Sequence, residues 1–241
     1  MATLSDEHCE MSRSHIQSSE AGAGRGEVSD MAARAHDLVA GTDIVLSTDV
    51  VVIGLGASGL ASVSAAAASG LSVAGLDVSA SVVDGLNGGK SHVASLSGED
   101  IAVLLSAGFR ATKDEAVLEL ARNVIICVPT PLSEHGTPDL SAVLAAGRAI
   151  ARHLHPGMLV ILESTTYPGT TEAVLAPILE ESGLRAGIDF SLACSPERND
   201  AGNPEFGVHN TPKVVGGYSP ACTDRTAKFF GRFVETVVQA R

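Results

Sequence analysis

The sequence predicts an α/β fold, a doubly wound, mostly parallel sheet of Rossmann type with helices on both faces. From Thr48 onward, short β-branched runs alternate with Ala-rich stretches of helical length. Strands buried on both faces read as such unbroken apolar runs, and right-handed crossovers wind them into one sheet. A glycine-rich turn also stands between the first run and the first helix, where this fold carries its ligand turn.

The runs are Val50–Ile53, Leu71–Leu76, Val124–Val128, Met158–Leu162, Phe190–Cys194 and Lys213–Gly216, with a weaker one at Thr236–Val238. Helices are expected at Ser58–Ser69, Ala80–Asn87, Ser97–Ala107, Asp114–Ala121, Asp139–His153, Thr170–Glu181 and Pro220–Phe233. Several carry entry signals: Ser97 with Asp100 in capping-box spacing, Pro138-Asp139, and Ser219-Pro220. Gly108 and Gly183 stand where C-terminal glycines stop helices. Residues 1–46 are rich in Ser, Glu, Asp, Gly and His and are expected to form a disordered tail, with a short helix at Met31–Val39. The domain is expected over 47–241.

Composition excludes several function classes. The chain has 241 residues, long enough for a sizeable core, and its 45% apolar content includes only 3% aromatics and no Trp. A core of Ala, Val, Leu and Ile follows. A formal charge of −12 leaves no basic stripe for nucleic acid. The four cysteines (Cys9, Cys127, Cys194, Cys222) show no CxxC spacing, so neither a disulfide framework nor a metal site is expected. No stretch matches a membrane span or signal-peptide core, and a cytoplasmic protein is expected.

The glycine turn carries the strongest chemical signal. Residues 51–59 read Val-Val-Ile-Gly-Leu-Gly-Ala-Ser-Gly. Gly54 permits the tight turn, Gly56 lets a diphosphate approach without a Cβ in the way, and Gly59 lets the helix pack close to the strand. Ser58, after Ala57, opens a helix whose unpaired N–H groups and positive dipole end face the phosphates. Asp77 ends the second run, eighteen residues after Gly59, where an acid accepts the adenosine ribose hydroxyls. No Arg follows Asp77 directly, which favours NAD over NADP. The same glycines would also suit a purely structural turn.

Ligands on such sheets bind beyond the C-terminal strand ends. Three loops there carry polar groups: Pro129-Thr130-Pro131, the hydroxyl-dense Glu163–Thr171, and Ser195-Pro196-Glu197-Arg198. Bland readings stand beside these: Ser164 and Thr170 as helix caps, Glu197–Arg198 as a surface pair. Cys127 and Cys194 read as small core residues rather than nucleophiles. No GxSxG elbow is present.

These loops resemble the NAD-binding domain of the UDP-glucose/GDP-mannose dehydrogenase family, above all its bacterial UDP-N-acetylglucosamine and UDP-N-acetylmannosamine 6-dehydrogenases. The resemblance rests on Val-Val-Ile-Gly-Leu-Gly at 51–56, Gly-Leu-Asp-Val at 75–78, Leu-Asn-Gly-Gly-Lys-Ser-His at 86–92 and Ile-Cys-Val-Pro-Thr-Pro-Leu at 126–132. It continues through Glu-His-Gly-Thr-Pro-Asp-Leu at 134–140, Glu-Ser-Thr-Thr-Tyr-Pro-Gly-Thr-Thr at 163–171, Ser-Pro-Glu-Arg at 195–198, Gly-Asn-Pro at 202–204 and Pro-Lys-Val-Val-Gly-Gly at 212–217. It implies oxidation of the C6 alcohol of a UDP-sugar to a carboxylate with two NAD⁺. Gly54, Gly56, Ala57, Ser58, Gly59 and Asp77 would hold NAD, with Val128, Thr130 and Thr165 toward the nicotinamide. Thr165 and Glu197 match the family's catalytic threonine and glutamate, which position a water and assist proton transfer. Arg198 and the Gly-Asn-Pro after it fit the N-acetylated-sugar branch.

Some positions depart from the family. Ala57-Ser58 replaces a bulky pair, and Leu60-Ala61 replaces a frequent Leu-Pro. Val82 stands where a basic residue usually neighbours the adenosine, a loss of about 1 kcal/mol in NAD binding. The family's nucleophilic Cys, in a Gly-Phe-Gly-Gly-x-Cys motif beyond a long helix, has no counterpart here. The chain is therefore expected to be a truncated dehydrogenase, inactive alone and completed by a C-terminal half, with a homo-oligomer as a further possible assembly. The alternatives are a non-catalytic NAD-binding module or the remnant of a disrupted gene. A short dehydrogenase of the 6-phosphogluconate or hydroxyacid type is a third reading.

Overall fold

The computed structural model describes residues 48–132, 136–198 and 207–240. The expected tail and the helix at Met31–Val39 lie outside the described residues.

β1 (Thr48–Ile53) shows why the sheet is buried on both sides. Val50 and Val52 enter one apolar core, Val51 and Ile53 the other, and all four are 7% exposed or less. β4 (Ala121–Ile126) and β5 (Leu159–Leu162) split in the same way, with Ile125, Leu159 and Ile161 on the first side and Val124, Ile126, Val160 and Leu162 on the second. The first core is closed by α1 (Ala57–Ala68), α2 (Ala80–Asn87), α3 (Gly98–Ser106) and α6 (Pro220–Phe230); the second by α4 (Ser141–His153) and α5 (Ala176–Glu180).

β2 (Val73–Leu76), β3 (Arg110–Thr112), β6 (Ser191–Cys194), β7 (Lys213–Gly217) and β8 (Val237–Gln239) complete the sheet in the order β3-β2-β1-β4-β5-β6-β7-β8. All pairings from β3 to β6 are parallel. Strand order reverses between β1 and β4, the switch point at which such sheets bind ligands. β7 runs antiparallel to β6, and β8 is parallel to β7.

Most of the expected caps form; at Pro138-Asp139 the helix instead starts at Ser141, with Leu140 as a cap residue that makes no side-chain bond. Ser97 and Asp100 make a reciprocal capping box, Ser219 accepts the Cys222 amide ahead of Pro220, and Gly108 and Gly183 have φ of 93° and 86°. Several expectations are corrected. β3 is a strand the sequence did not announce. Asp114–Ala121 is a 3₁₀ turn over Glu115–Leu120, because Ala121 already pairs with Thr48 in β4. β4 ends at Ile126, so Cys127 and Val128 belong to the loop. Thr170–Glu181 begins as a π-helical turn (Thr170–Leu175) before α5.

Candidate functional site

The glycine turn has the geometry its spacing predicts. Gly54 has φ +88°, and a Cβ there would stand 2.6 Å from the Cys127 carbonyl and 3.1 Å from Val128 Cα. Only glycine therefore lets the β1 turn lie against the end of β4. A Cβ on Gly59 would meet the Gly54 carbonyl at 1.9 Å, so α1 packs directly on the turn. Gly56 is different: its Cβ position has nothing within 4 Å. That open space lies before the N-terminus of α1, which has no side-chain cap and no acid in its first turn, with Ala57 and Ser58 exposed. Backbone N–H groups and empty volume together suit a diphosphate. The residues fit the dinucleotide on this ground.

Asp77 follows β2 and is half-buried. Its Oδ2 accepts the Leu55 amide at 2.8 Å and its Oδ1 the Ser79 amide at 2.8 Å. A carboxylate has about four acceptor positions. Two bonds orient it and leave lone pairs for ribose hydroxyls. Val78 beside it is 94% exposed, leaving no cation there for a ribose phosphate.

Across the switch point, Thr130 Oγ1 donates to the Thr165 carbonyl at 2.6 Å, which ties the loop after β4 to the loop after β5. Thr165 is exposed at this strand-end face. Ser164 Oγ donates to the Val128 carbonyl at 2.8 Å, so it fastens the two loops and caps no helix. Thr170 Oγ1 donates to the Tyr167 carbonyl, and Gly169 is the cap residue of that helix instead.

Below these loops lies a cluster that sequence reasoning missed. Glu163 directly follows β5 and is 2% exposed. Its Oε2 accepts Ser62 Oγ of α1 at 2.8 Å and the Cys127 thiol at 2.9 Å, and its Oε1 takes the Lys213 ammonium. Lys213, 4% exposed, also donates to Glu197 Oε2 at 2.9 Å and lies 4.8 Å over the Phe230 ring. The reading of Glu197–Arg198 as a surface pair is thereby corrected. Glu197 turns inward to Lys213, and Arg198 gives its backbone N–H to Glu197 Oε1.

Burial pushes the Glu163 carboxyl above its ordinary range, against the opposing pull of Lys213. Burial by itself would lower Lys213, but Glu163 and Glu197 together hold it above the usual lysine value. Burial, then the Glu163 charge, push the Cys127 thiol far up. Cys127 is thus a protonated donor to Glu163. A polar residue directly after a fully apolar run, as Glu163 follows Leu159–Leu162, was the available signal for the cluster.

A family model described as the NAD binding domain of the UDP-glucose/GDP-mannose dehydrogenase family matches residues 48–234. The chain belongs to that family. This NAD-binding domain of the dehydrogenase family is 35% identical over 188 residues to a UDP-N-acetyl-D-mannosamine dehydrogenase of Pyrococcus horikoshii, covering 77% of the chain and 45% of the relative. It is 45% identical over 97 residues to a UDP-N-acetyl-D-glucosamine 6-dehydrogenase of Pseudomonas aeruginosa, covering 40% of the chain and 23% of the relative. A solved UDP-D-ManNAc dehydrogenase from P. horikoshii superposes with a TM-score of 0.76 at 34% identity, over 80% of this chain and 47% of that one. The chain thus spans less than half the length of these relatives. The cofactor of this domain is NAD. Among the described residues, no helix is long and apolar enough to cross a membrane, and no cluster of metal-binding side chains occurs.

Proposed function

We propose that the chain supplies the NAD-binding part of a nucleotide-sugar 6-dehydrogenase, with a UDP-N-acetylhexosamine as substrate and 47–241 as its domain. The observation that carries this reading is the convergence of the uncapped glycine turn with the loops of Thr130, Thr165 and Glu197 at the C-terminal strand ends of the sheet. The names of the relatives above support the substrate class.

In this reading Gly54, Gly56, Ala57, Ser58 and Gly59 form the diphosphate cradle, and Asp77 accepts the adenosine ribose hydroxyls. Val128, Thr130 and Thr165 border the nicotinamide. NAD⁺ supplies the hydride acceptor for oxidation at the sugar C6. Thr165 and Glu197 are the catalytic residues: Glu197 accepts a proton from the reacting alcohol or water, and Thr165 helps position that water. The thiol chemistry and the rest of the sugar pocket belong to the part of the relatives that this chain does not match. The chain by itself is then a cofactor-binding half, completed by that part.

Titration of the purified chain with NADH, followed by fluorescence, tests the cofactor site; saturable binding is expected, and none at millimolar NADH overturns the reading. NAD⁺ reduction assayed with UDP-GlcNAc, UDP-ManNAc and UDP-glucose tests the second part. Fast turnover by the isolated chain would refute its being one half of the centre.

A further inference from the structure

The register of β7 has a consequence for Glu197. Ala193 pairs with Gly217 and Cys194 with Gly216 in the antiparallel ladder. Carried three residues past Cys194, where β6 ends, and three residues back from Gly216, that register brings Lys213, the first residue of β7, level with Glu197. A parallel β7 would have put its first residue at the opposite strand-end face of the sheet. The reversal therefore delivers a lysine side chain to the strand-end face, beneath the loop that carries Glu197.

The ammonium that arrives there is held from several sides. Glu163 takes it at the end of β5, Glu197 Oε2 stands 2.9 Å away, and the Phe230 ring lies 4.8 Å below. Glu163 is itself fixed by Ser62 and Cys127, from α1 and the β4 loop. The side chains of Lys213 and Glu163 are 4% and 0% exposed, whereas that of Glu197 is 13% exposed. The cation is therefore rooted in the interior and presents one donor outward. Charges this poorly screened interact much more strongly than surface pairs.

We propose that Lys213 is a positioning residue for Glu197, fixing the direction of its carboxylate and its ionised form, with Glu163 as the buried counter-ion that keeps the ammonium in place. This rests on the reading of Glu197 as a site acid. Glu163 gives the arrangement its stability during turnover. When Glu197 takes up a proton, the lysine keeps a full partner and has no cause to move. Ser62 and Cys127 extend the same support to the helix that follows the glycine turn, so the cofactor cradle and the acid share one rigid foundation.

The test is the titration of Glu197 in the whole chain, by NMR with ¹³C-labelled glutamate and assignment by loss of its signal in Glu197→Gln. In Glu163→Gln/Lys213→Met the buried pair is removed together, which avoids an orphaned charge. The Glu197 midpoint is expected to rise by about one pH unit or more once its cation is gone. In Glu163→Gln alone, Lys213 serves Glu197 undivided and the midpoint is expected to fall. Lys213→Arg is expected to restore a midpoint near that of the wild type. An unchanged midpoint in either Gln variant, with a cooperative melt, overturns the proposal, and Glu163→Gln decides the matter if the double variant does not fold. NADH titration of the same samples separates the two readings. Binding without any Glu197 response sinks the role of Lys213 alone; a Glu197 response without NADH binding sinks the cofactor site alone.

Discussion

Asp77 Oδ2 accepts the amide of Leu55 at 2.8 Å, joining the acid after β2 to the middle of the glycine turn after β1. The two halves of the proposed dinucleotide site are thus one hydrogen-bonded unit: the acid that would hold ribose also sets the shape of the glycine turn. Asp77→Asn keeps the volume but loses the charge. Bonds to a charged group contribute about 1.5–3 kcal/mol, so NADH affinity is expected to fall roughly 10- to 100-fold. Fluorescence titration measures this; an unchanged Kd would remove Asp77 from the site.

Two glycines of the turn are expected to separate folding from binding. Gly59→Ala puts a Cβ 1.9 Å from the Gly54 carbonyl and is expected to destabilise by about 1–3 kcal/mol or more. Gly56→Ala meets nothing within 4 Å, so the melting temperature should be within a few degrees of wild type while NADH binding weakens strongly. Thermal melts beside NADH titrations check both.

Ser62→Ala removes one of three donors to a buried carboxylate. The expected loss is about 1–3 kcal/mol in denaturant unfolding. A loss near zero would mean that water or a rearranged Cys127 replaces the hydroxyl.

Cys127 links stability to alkaline pH. Its folded thiol titrates well above the ordinary value of 9.0, because of burial and the adjacent Glu163. The contribution is present in full below the unfolded pKa. It is lost as pH rises toward the folded one, since only the unfolded chain then releases the proton. Between these limits stability should fall by up to about 1.4 kcal/mol per pH unit for this group. Cys127→Ser keeps a donor for Glu163 and should lose that part of the slope. Unfolding curves from pH 8 to 10.5 compare the two, and iodoacetamide should leave native Cys127 unlabelled at pH 8.

Much of the architecture could be read from local pattern. The runs at Val50–Ile53 and Met158–Leu162 became β1 and β5 with small shifts, because an apolar run buried on both faces looks the same wherever it pairs. Edge strand β3 was not legible: Arg110–Thr112 has no apolar run, and its pairing with β2 alone makes it a strand. The turn at Glu115–Leu120 had helical spacing, but the β4 ladder claimed Ala121 first.

The glycine turn, Asp77, and the loops of Thr130, Thr165 and Glu197 were determined by the sequence itself, because steric limits on glycine and the ends of apolar runs act within a few residues. The cluster of Ser62, Cys127, Glu163 and Lys213 was decided only by tertiary structure. Its members are separated by up to 151 residues in the chain: Glu163 gathers Ser62 and Cys127 from α1 and the loop after β4, and Lys213 joins them because β7 reverses direction. Strand direction leaves no trace in a five-residue run such as Lys213–Gly217, since the two-residue alternation is identical for parallel and antiparallel pairing.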